Sequence, residues 1–234
     1  IGTMAKGSGM IHINMGTMLG FITTDCAISS EMLQAALSES IKGTYNCVSV
    51  DGDTSTNDTL SILANGMAGN AEITTKGADF DIFLAALNEI NTLMARKIAA
   101  DGEGAGRLIE CTVSGASSVE TARKLAKSVI SSSLVKAAFF GADANWGRIL
   151  CAMGYSGEFF DQTKTSVSFS NDKGTVDVCQ DGSDLNFDEE KAKSVLMEKE
   201  VKILITLKDG TASGTAWGCD LTYEYVKING DYRS

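Results

Sequence analysis

The chain has 234 residues, of which 44% are apolar and 21% are charged, as in ordinary globular proteins. Its formal net charge of −10 argues against a nucleic-acid-binding protein, because such proteins present a basic surface to phosphates. The sequence contains no apolar run close to the roughly 18 residues that a membrane-spanning helix needs.

The six cysteines are far apart in the sequence, and no two of them form a Cys-x-x-Cys pair. Several lie inside apolar or strand-like runs, and the chain has one histidine. This pattern favours buried free thiols in a reducing compartment over disulfides or a metal site. We therefore expect a cytoplasmic protein without a metal.

Residues 6–25 combine a glycine-rich loop, which runs through Gly16, with a predicted buried strand that begins at Thr17. A threonine at such a junction could become an N-terminal nucleophile if the chain were cut before it. Its α-amine, with a reference pKa of about 7.7–8.0, would then act as the base for its own hydroxyl. An ordinary turn-to-strand joint is the commoner meaning of a Gly-Thr pair.

The next elements are a helix over residues 29–42, which Ser29 or Ser30 caps and Gly43 ends, and a short strand over residues 47–50. The polar run 51–59 has the oxygen spacing of a calcium loop. It lacks the glycine and the glutamate that such a loop requires. The run therefore favours a turn and cap that lead into a helix at residues 60–63.

The longest predicted helix covers residues 80–99, where apolar residues recur at spacings of three and four. A glycine-rich loop, 101–106, leads from it into a strand over 107–113. The order of helix, loop and strand does not match a dinucleotide-binding motif. Glu103, which lies between two glycines, is either a solvated turn carboxylate or a group that a ligand can approach closely.

The rest of the chain predicts helices at 118–131, 146–153 and 187–197, and strands at 134–140, 166–170, 175–179, 201–207, 215–219 and 221–228. Trp146 and Arg148 are either a binding pair or a core residue and a structural clamp. The fold class that we predict is an α/β layered sandwich with helices covering mixed or antiparallel sheets.

Several long motifs resemble the ornithine acetyltransferase family, also called the bifunctional glutamate N-acetyltransferases of arginine biosynthesis. They are similar mainly to the downstream (beta) chain of that family. The motifs are KGSGMIHINMGTMLGFITTD (6–25), DGDTSTNDT (51–59), GEGA (102–105), NWGRI (145–149), AWGCDLTY (216–223) and KINGDY (227–232).

This resemblance implies an N-terminal-nucleophile-like fold and a chain that cuts itself between Gly16 and Thr17. Residues 1–16 would then be the tail of the upstream (alpha) chain, 17–156 a catalytic α/β portion beginning at the nucleophile, and 157–234 a smaller C-terminal α/β portion. The implied partner is the upstream chain of the same precursor, in a heterotetramer of two alpha and two beta chains. The family's oxyanion-hole donors lie in that upstream chain.

The resemblance further implies that Thr17 takes the acetyl group from N-acetylornithine and passes it to glutamate through an acetyl-enzyme. The residues that would bind the substrates are Lys6, Thr17, Glu103, Asn229 and Ser234. No cofactor is implied, and the sequence leaves open whether acetyl-CoA is a second acetyl donor.

Two other functions stay open at this point. A related N-terminal-threonine amidohydrolase or aminopeptidase would hydrolyse the acyl-enzyme instead of transferring the acyl group. An uncut fragment would be inactive. A Ser-His-Asp or Cys-His hydrolase would have to use His12, the one histidine, as its base.

The sequence contains no proline, although average usage of about 5% would give about 12. Ile13 and Ala144 stand where the family resemblance leads us to expect proline. We interpret the chain as a proline-depleted variant or as a member of an unusual natural lineage.

Overall fold

The computed structural model describes residues 1–12 and 18–232. The predicted cleavage residues Gly16 and Thr17 and the predicted substrate-binding residue Ser234 lie outside the described residues. The structure therefore shows what surrounds the junction on both sides of residues 13–17.

A three-stranded sheet carries the two flanks of the junction, in the order β1-β2-β3. Its strands are β1 (Gly2–Lys6), β2 (Leu19–Thr24) and β3 (Thr59–Ala64). β2 pairs antiparallel with β1 and parallel with β3. The strand predicted after Thr17 is confirmed by β2, whereas β1 was not predicted.

The helix predicted at residues 60–63 is wrong, because this segment belongs to β3. Four residues with alternating size are too few to show a helical period. Pairing with β2, from Leu19↔Thr59 to Thr24↔Ala64, decides the conformation instead.

A six-stranded mixed sheet forms the second layer, in the order β7-β6-β5-β8-β4-β9. β4 lies next to the edge strand β9, and it is parallel to β8 and antiparallel to β9. Strands from both sides of residue 156 share this sheet, and the domain division predicted there stays a prediction. The strands are β4 (Leu108–Ala116), β5 (Ser166–Asn171), β6 (Gly174–Gln180), β7 (Ser183–Asp184), β8 (Glu200–Thr206) and β9 (Ala212–Cys219).

Seven α-helices occur in the described residues, and none of them is long and apolar enough to cross a membrane. The Ser29 hydroxyl caps α1, as the sequence predicts, and the Ser118 hydroxyl caps α3. The helices are α1 (Ser30–Ser40), α2 (Ala78–Ala100), α3 (Val119–Ser131), α4 (Ser133–Phe140), α5 (Trp146–Gly154), α6 (Glu189–Leu196) and α7 (Tyr223–Asp231).

The strands predicted at 134–140 and 221–228 are wrong, because these segments form α4 and α7. A short apolar run does not distinguish a buried helix from a strand by its periodicity. The caps decide the outcome: the Ser132 hydroxyl accepts a hydrogen bond from Val135 N, and the Thr222 hydroxyl accepts one from Tyr225 N.

The strand predicted at 47–50 is also wrong. A 3₁₀ turn at Tyr45–Cys47 is followed by two isolated bridges, Val48↔Trp217 and Ser49↔His12. This segment crosses the edge of the six-stranded sheet and makes no ladder of its own. It nevertheless connects that sheet to the loop before the junction.

The main apolar core contains the buried residues of the six-stranded sheet and of α3, α4, α5 and α6. A second core lies between the three-stranded sheet, α1 and α2, and includes Ile22, Leu37, Phe80 and Leu87. All six cysteines are free, and four of them are buried, whereas Cys151 is exposed.

Candidate active site

Three predicted substrate-binding residues line one cavity of about 340 Å³. Lys6 ends β1, Glu103 lies in the loop between α2 and β4, and Asn229 lies on α7. These residues are more than 90 positions apart in the sequence, yet the fold brings them together. Elements from the beginning, the middle and the end of the chain thus line the cavity.

Hydrogen bonds fix the position of Glu103 in this cavity. Its Oε2 accepts a hydrogen bond of 2.9 Å from Asn229 Nδ2. Its backbone N–H donates a hydrogen bond of 2.9 Å to the Ser8 carbonyl oxygen. Gly9 lies against the carboxylate, because a Cβ at this position would be 2.3 Å from Glu103 Oε2. Glu103 lies half-buried in a turn, and its role in binding a ligand stays a prediction.

Gly104 allows the Glu103 loop to lie directly against α7. Its φ of +68° is in the left-handed region, and a Cβ would be 2.5 Å from the Tyr225 nitrogen. The Thr222 hydroxyl donates a hydrogen bond of 2.6 Å to the Gly104 carbonyl oxygen. This close approach is what brings Asn229 within reach of Glu103.

Asp51 connects the loop before the junction to α7. Its carboxylate accepts hydrogen bonds from Met10 N at 2.6 Å and Ile11 N at 3.0 Å. It also accepts one from the Tyr225 hydroxyl at 3.3 Å. Burial, followed by the charge of Asp51, raises the pKa of Tyr225 to about 12, so this phenol keeps its proton at neutral pH.

Asp58 holds the other side of the junction. Its Oδ1 accepts a hydrogen bond from the backbone N–H of Met18, the residue that follows Thr17. Burial raises the pKa of the Asp58 carboxyl above its usual value, and the Met18 N–H opposes this shift. Two carboxylates of the same polar run, 51–59, therefore bind the main chain on both sides of residues 13–17.

His12 is enclosed by polar groups of other elements. Its Nδ1 lies 3.0 Å from Ser49 Oγ and 3.5 Å from Ser131 Oγ. Burial, and then the charge of Lys127, lower the pKa of His12 to about 4. Ser49 is completely buried, so this histidine–serine pair presents no hydroxyl to a substrate.

Trp146 and Arg148 lie outside this cavity, and each donates a hydrogen bond to another part of the chain. Arg148 Nη1 donates a hydrogen bond of 2.9 Å to the Leu134 carbonyl oxygen, and Trp146 Nε1 donates one of 2.9 Å to Asp184 Oδ1. The clamp interpretation fits Arg148, whereas half-buried Trp146 lines a second cavity, and a binding role of the pair stays a prediction. Within residues 1–12 and 18–232, no three His, Cys, Asp or Glu side chains are arranged to hold a metal ion.

The structure thus brings together Lys6, Glu103 and Asn229, whose roles stay predictions. The sequence alone assigns no role to Asp51 or Asp58, although both stand in a motif that carries the resemblance. A carboxylate that binds backbone amides from a distant segment leaves no pattern of spacing in the sequence. The length of the matched motif was the one signal that pointed to this run.

Comparison with known proteins decides the family. A model of the ArgJ family matches residues 1–234, the whole chain. The chain belongs to the ArgJ family. This result confirms the resemblance to the acetyltransferases of arginine biosynthesis that the motifs indicated.

Relatives named as arginine biosynthesis bifunctional proteins support the assignment. ArgJ 1 of Clostridium acetobutylicum is 55% identical over 231 residues, which are 99% of this chain and 57% of that protein. ArgJ of Caldanaerobacter subterraneus is 52% identical over 230 residues, 98% of this chain and 57% of that protein. The chain thus spans about 57% of the length of these ArgJ relatives.

A crystal structure of the arginine biosynthesis bifunctional protein ArgJ from Bacillus halodurans is similar to the fold, with a TM-score of 0.85 and 43% identity. The match covers 91% of this chain and 98% of the ArgJ chain in that crystal structure. It confirms the predicted fold class, a layered α/β sandwich of the N-terminal-nucleophile-like kind.

Proposed function

We propose that the protein containing this chain is an acetyltransferase of arginine biosynthesis that moves acetyl from N-acetylornithine to glutamate. Membership of the ArgJ family and the names of its relatives support this function. The observation that carries the proposal is the single cavity lined by Lys6, Glu103 and Asn229.

The cavity has the chemistry that these two substrates need. Both substrates carry an α-carboxylate, which the Lys6 ammonium group would bind through a charge-assisted hydrogen bond. The Glu103 carboxylate would pair with the side-chain ammonium group of ornithine or relay a proton. Asn229 would keep Glu103 in place through the hydrogen bond described above. The volume of about 340 Å³ is at the small end of ligand sites, as expected for amino acids.

In the first stage of the proposed mechanism, the chain cuts itself. The Thr17 hydroxyl attacks the Gly16 carbonyl carbon, the Gly16–Thr17 amide becomes an ester, and water hydrolyses that ester. The products are a new carboxylate at Gly16 and a free α-amine on Thr17. The small side chain of Gly16 leaves room for this rearrangement.

In the second stage, Thr17 is acetylated and deacetylated in turn. Its oxygen bonds to the acetyl carbon, the amide bond of N-acetylornithine breaks, and the hydroxyl proton passes through the α-amine to the leaving amine. The amine of glutamate then attacks the ester, takes the acetyl group and returns a proton to the Thr17 oxygen. Ser234 would assist in binding these substrates.

We further propose that the remaining part of the longer protein completes the site. The relatives are longer than this chain, which spans 57% of the first two. The missing part would supply the oxyanion-hole donors and associate with this chain as two upstream and two downstream segments. Whether acetyl-CoA also donates acetyl is tested by replacing N-acetylornithine with acetyl-CoA in the assay below.

The test uses the complete protein, expressed from its whole gene, with wild type, Thr17→Ala and Thr17→Ser compared. Wild type should yield a chain that begins at Thr17 and should exchange acetyl between N-acetylornithine and glutamate. Thr17→Ala should lose both properties, whereas Thr17→Ser, which keeps a hydroxyl and an amine, should retain part of both.

Two results would contradict the proposal. Acetyl exchange that persists in Thr17→Ala would exclude Thr17 as the nucleophile. Release of acetate without formation of N-acetylglutamate by wild type would show an amidohydrolase instead of a transferase.

A further inference from the structure

Three segments of the chain line the cavity that is proposed to bind the substrates. They are the segment 6–10, the turn that carries Glu103, and α7, which contributes Ile228 and Asn229. Each segment carries one of the predicted substrate-binding residues, since Lys6 belongs to the first of them. The distances between these binding groups therefore depend on how the three segments are held against one another.

Two of the three contacts between these segments are direct hydrogen bonds. The Glu103 N–H donates a hydrogen bond of 2.9 Å to the Ser8 carbonyl oxygen, which joins the turn to the segment 6–10. Asn229 Nδ2 donates one of 2.9 Å to Glu103 Oε2, which joins α7 to the turn. Asn229 Nδ2 also donates one of 3.1 Å to the Tyr225 carbonyl oxygen, so its own helix orients this amide.

The third contact, between the segment 6–10 and α7, passes through Asp51. Among the residues that the structure describes, no hydrogen bond joins this segment to α7 directly. Asp51 Oδ2 accepts one hydrogen bond from Met10 N at 2.6 Å and another from the Tyr225 hydroxyl at 3.3 Å. A single carboxylate oxygen thus joins the two segments.

The Asp51 carboxylate has a fixed orientation. Its other oxygen, Oδ1, accepts hydrogen bonds from Ile11 N at 3.0 Å and Asp53 N at 3.2 Å. The preceding residue, Val50, is buried, and its N–H donates a hydrogen bond of 2.6 Å to the Ile11 carbonyl oxygen. Hydrogen bonds to an ionised acceptor are stronger than those between neutral groups. The carboxylate can therefore position the phenol of Tyr225, and with it the helix.

We propose that Asp51 and Tyr225 are positioning residues for substrate binding. Their hydrogen bond holds the segment that carries Lys6 at a fixed distance from the helix that carries Asn229. Neither Asp51 nor Tyr225 lines the cavity, so both act through the groups that do. This inference rests on the proposed function, and it adds the contact that keeps the two ends of the substrate site in place.

The proposal predicts which kinetic constant changes. In the proposed function, Lys6 and Glu103 bind the α-carboxylate and the side-chain ammonium group, which do not react. Contacts with such groups are made equally in the ground state and in the transition state. Their loss therefore raises KM and leaves kcat nearly unchanged. A residue that only stabilises the fold would lower the free energy of unfolding without changing KM.

The test measures acetyl transfer from N-acetylornithine at saturating glutamate in the complete protein, with wild type, Tyr225→Phe and Tyr223→Phe compared. Tyr225→Phe removes only the hydroxyl that binds Asp51. Its KM for N-acetylornithine should rise about tenfold, with kcat within about twofold of wild type. Tyr223→Phe is the matched control, because Tyr223 is an exposed residue of the same helix whose ring packs against Phe140. Its KM should equal that of wild type.

A double-mutant cycle tests whether the two residues act through one contact. Asp51→Asn leaves one oxygen where the wild type has two, so its KM should rise at least as much as that of Tyr225→Phe. Adding Tyr225→Phe to Asp51→Asn should raise KM by no more than about twofold further. If Asp51→Asn does not fold, the comparison of Tyr225→Phe with Tyr223→Phe decides alone.

A KM of Tyr225→Phe that equals that of Tyr223→Phe would overturn the inference and leave the proposed function standing. The same conclusion would follow from a loss of stability in urea with unchanged KM, or from a double variant that shows the full effects of both changes. A wild-type protein that does not transfer acetyl would refute the proposed function, and with it the inference.

Discussion

The six-stranded sheet and the loops around the junction are held together by different forces. In β8, Ile203 and Ile205 are fully buried between helices and neighbouring strands. Around the junction, Asp51 and Asp58 bind backbone N–H groups of Met10, Ile11 and Met18. Apolar burial is non-directional, whereas hydrogen bonds to a carboxylate depend on angle and charge. The sheet therefore stabilises the molecule, and the carboxylates hold the main chain on both sides of residues 13–17.

The largest expected effect is a loss of stability from a substitution in the six-stranded sheet. Ile203→Ala should lower the free energy of unfolding by about 2–5 kcal/mol, because it leaves a cavity in a fully packed core. Leu204→Ala, on the opposite and partly exposed face of β8, is the matched control and should cost less than half as much. Urea denaturation measures both values.

Activity per folded molecule should be unchanged in both β8 variants under native conditions. Equal losses of stability at Ile203 and Leu204 would show that burial in this sheet is not what stabilises the protein. A change in KM for either variant would show that the sheet and the cavity are coupled.

A smaller effect is expected on the loop side, where titratable groups contribute to stability. The pKa of His12 is about 4 in the folded protein and 6.5 as a reference. Between these values the unfolded chain binds a proton that the folded chain excludes, so the free energy of unfolding falls as the pH is lowered from 6.5 to 4. Solvent screening of this half-buried ring makes the contribution smaller than the roughly 3 kcal/mol that the full shift corresponds to.

His12→Gln removes this titration and keeps a polar side chain. From pH 7 to pH 5 it should lose less stability than wild type, with the difference measured by urea denaturation at both values. The charges of Asp51, Asp53 and Lys127 also shift the pKa of His12. All three groups are present in both proteins, so their own titration contributes equally to the two pH dependences. Equal losses in the two proteins would contradict a buried, neutral His12.

The smallest expected effect is on activity, and it comes from a variant that moves the Glu103 carboxylate with little change in the stability of the protein. Gly9→Ala places a Cβ 2.3 Å from Glu103 Oε2 and should displace this carboxylate. We expect kcat/KM for acetyl transfer to fall about tenfold, or about 1.4 kcal/mol, with little change in unfolding. Gly230→Ala, next to Asn229, is the control, because its Cβ meets nothing within 4 Å. Equal kinetics in the two variants would mean that the position of Glu103 does not matter.

Elements with a long periodic pattern are predictable from the sequence, whereas short apolar runs are not. The helix at Ala78–Ala100 is predictable because its apolar residues repeat over many turns, and the cap Ser29 marks the start of another helix. The sequence predicts strands for the segments of α4 and α7 because their apolar runs are short. Ser132 and Thr222 were available as cap signals that would have corrected both.

The candidate site was only partly predictable, for a physical reason. Lys6, Glu103 and Asn229 could be named from the family resemblance, but no local pattern says that they share a cavity. The anchoring by Asp51 and Asp58 depends on contacts between residues about 40 positions apart. Such contacts follow from the fold and leave no periodic signal in the sequence.

The most direct test of the central claim is the intact mass of the complete protein after brief incubation with N-acetylornithine and acid quenching. We expect a chain that begins at Thr17 and carries one acetyl group, which disappears when glutamate is added before the quench. A chain that stays uncut between Gly16 and Thr17, or a cut chain that never carries acetyl, would contradict it.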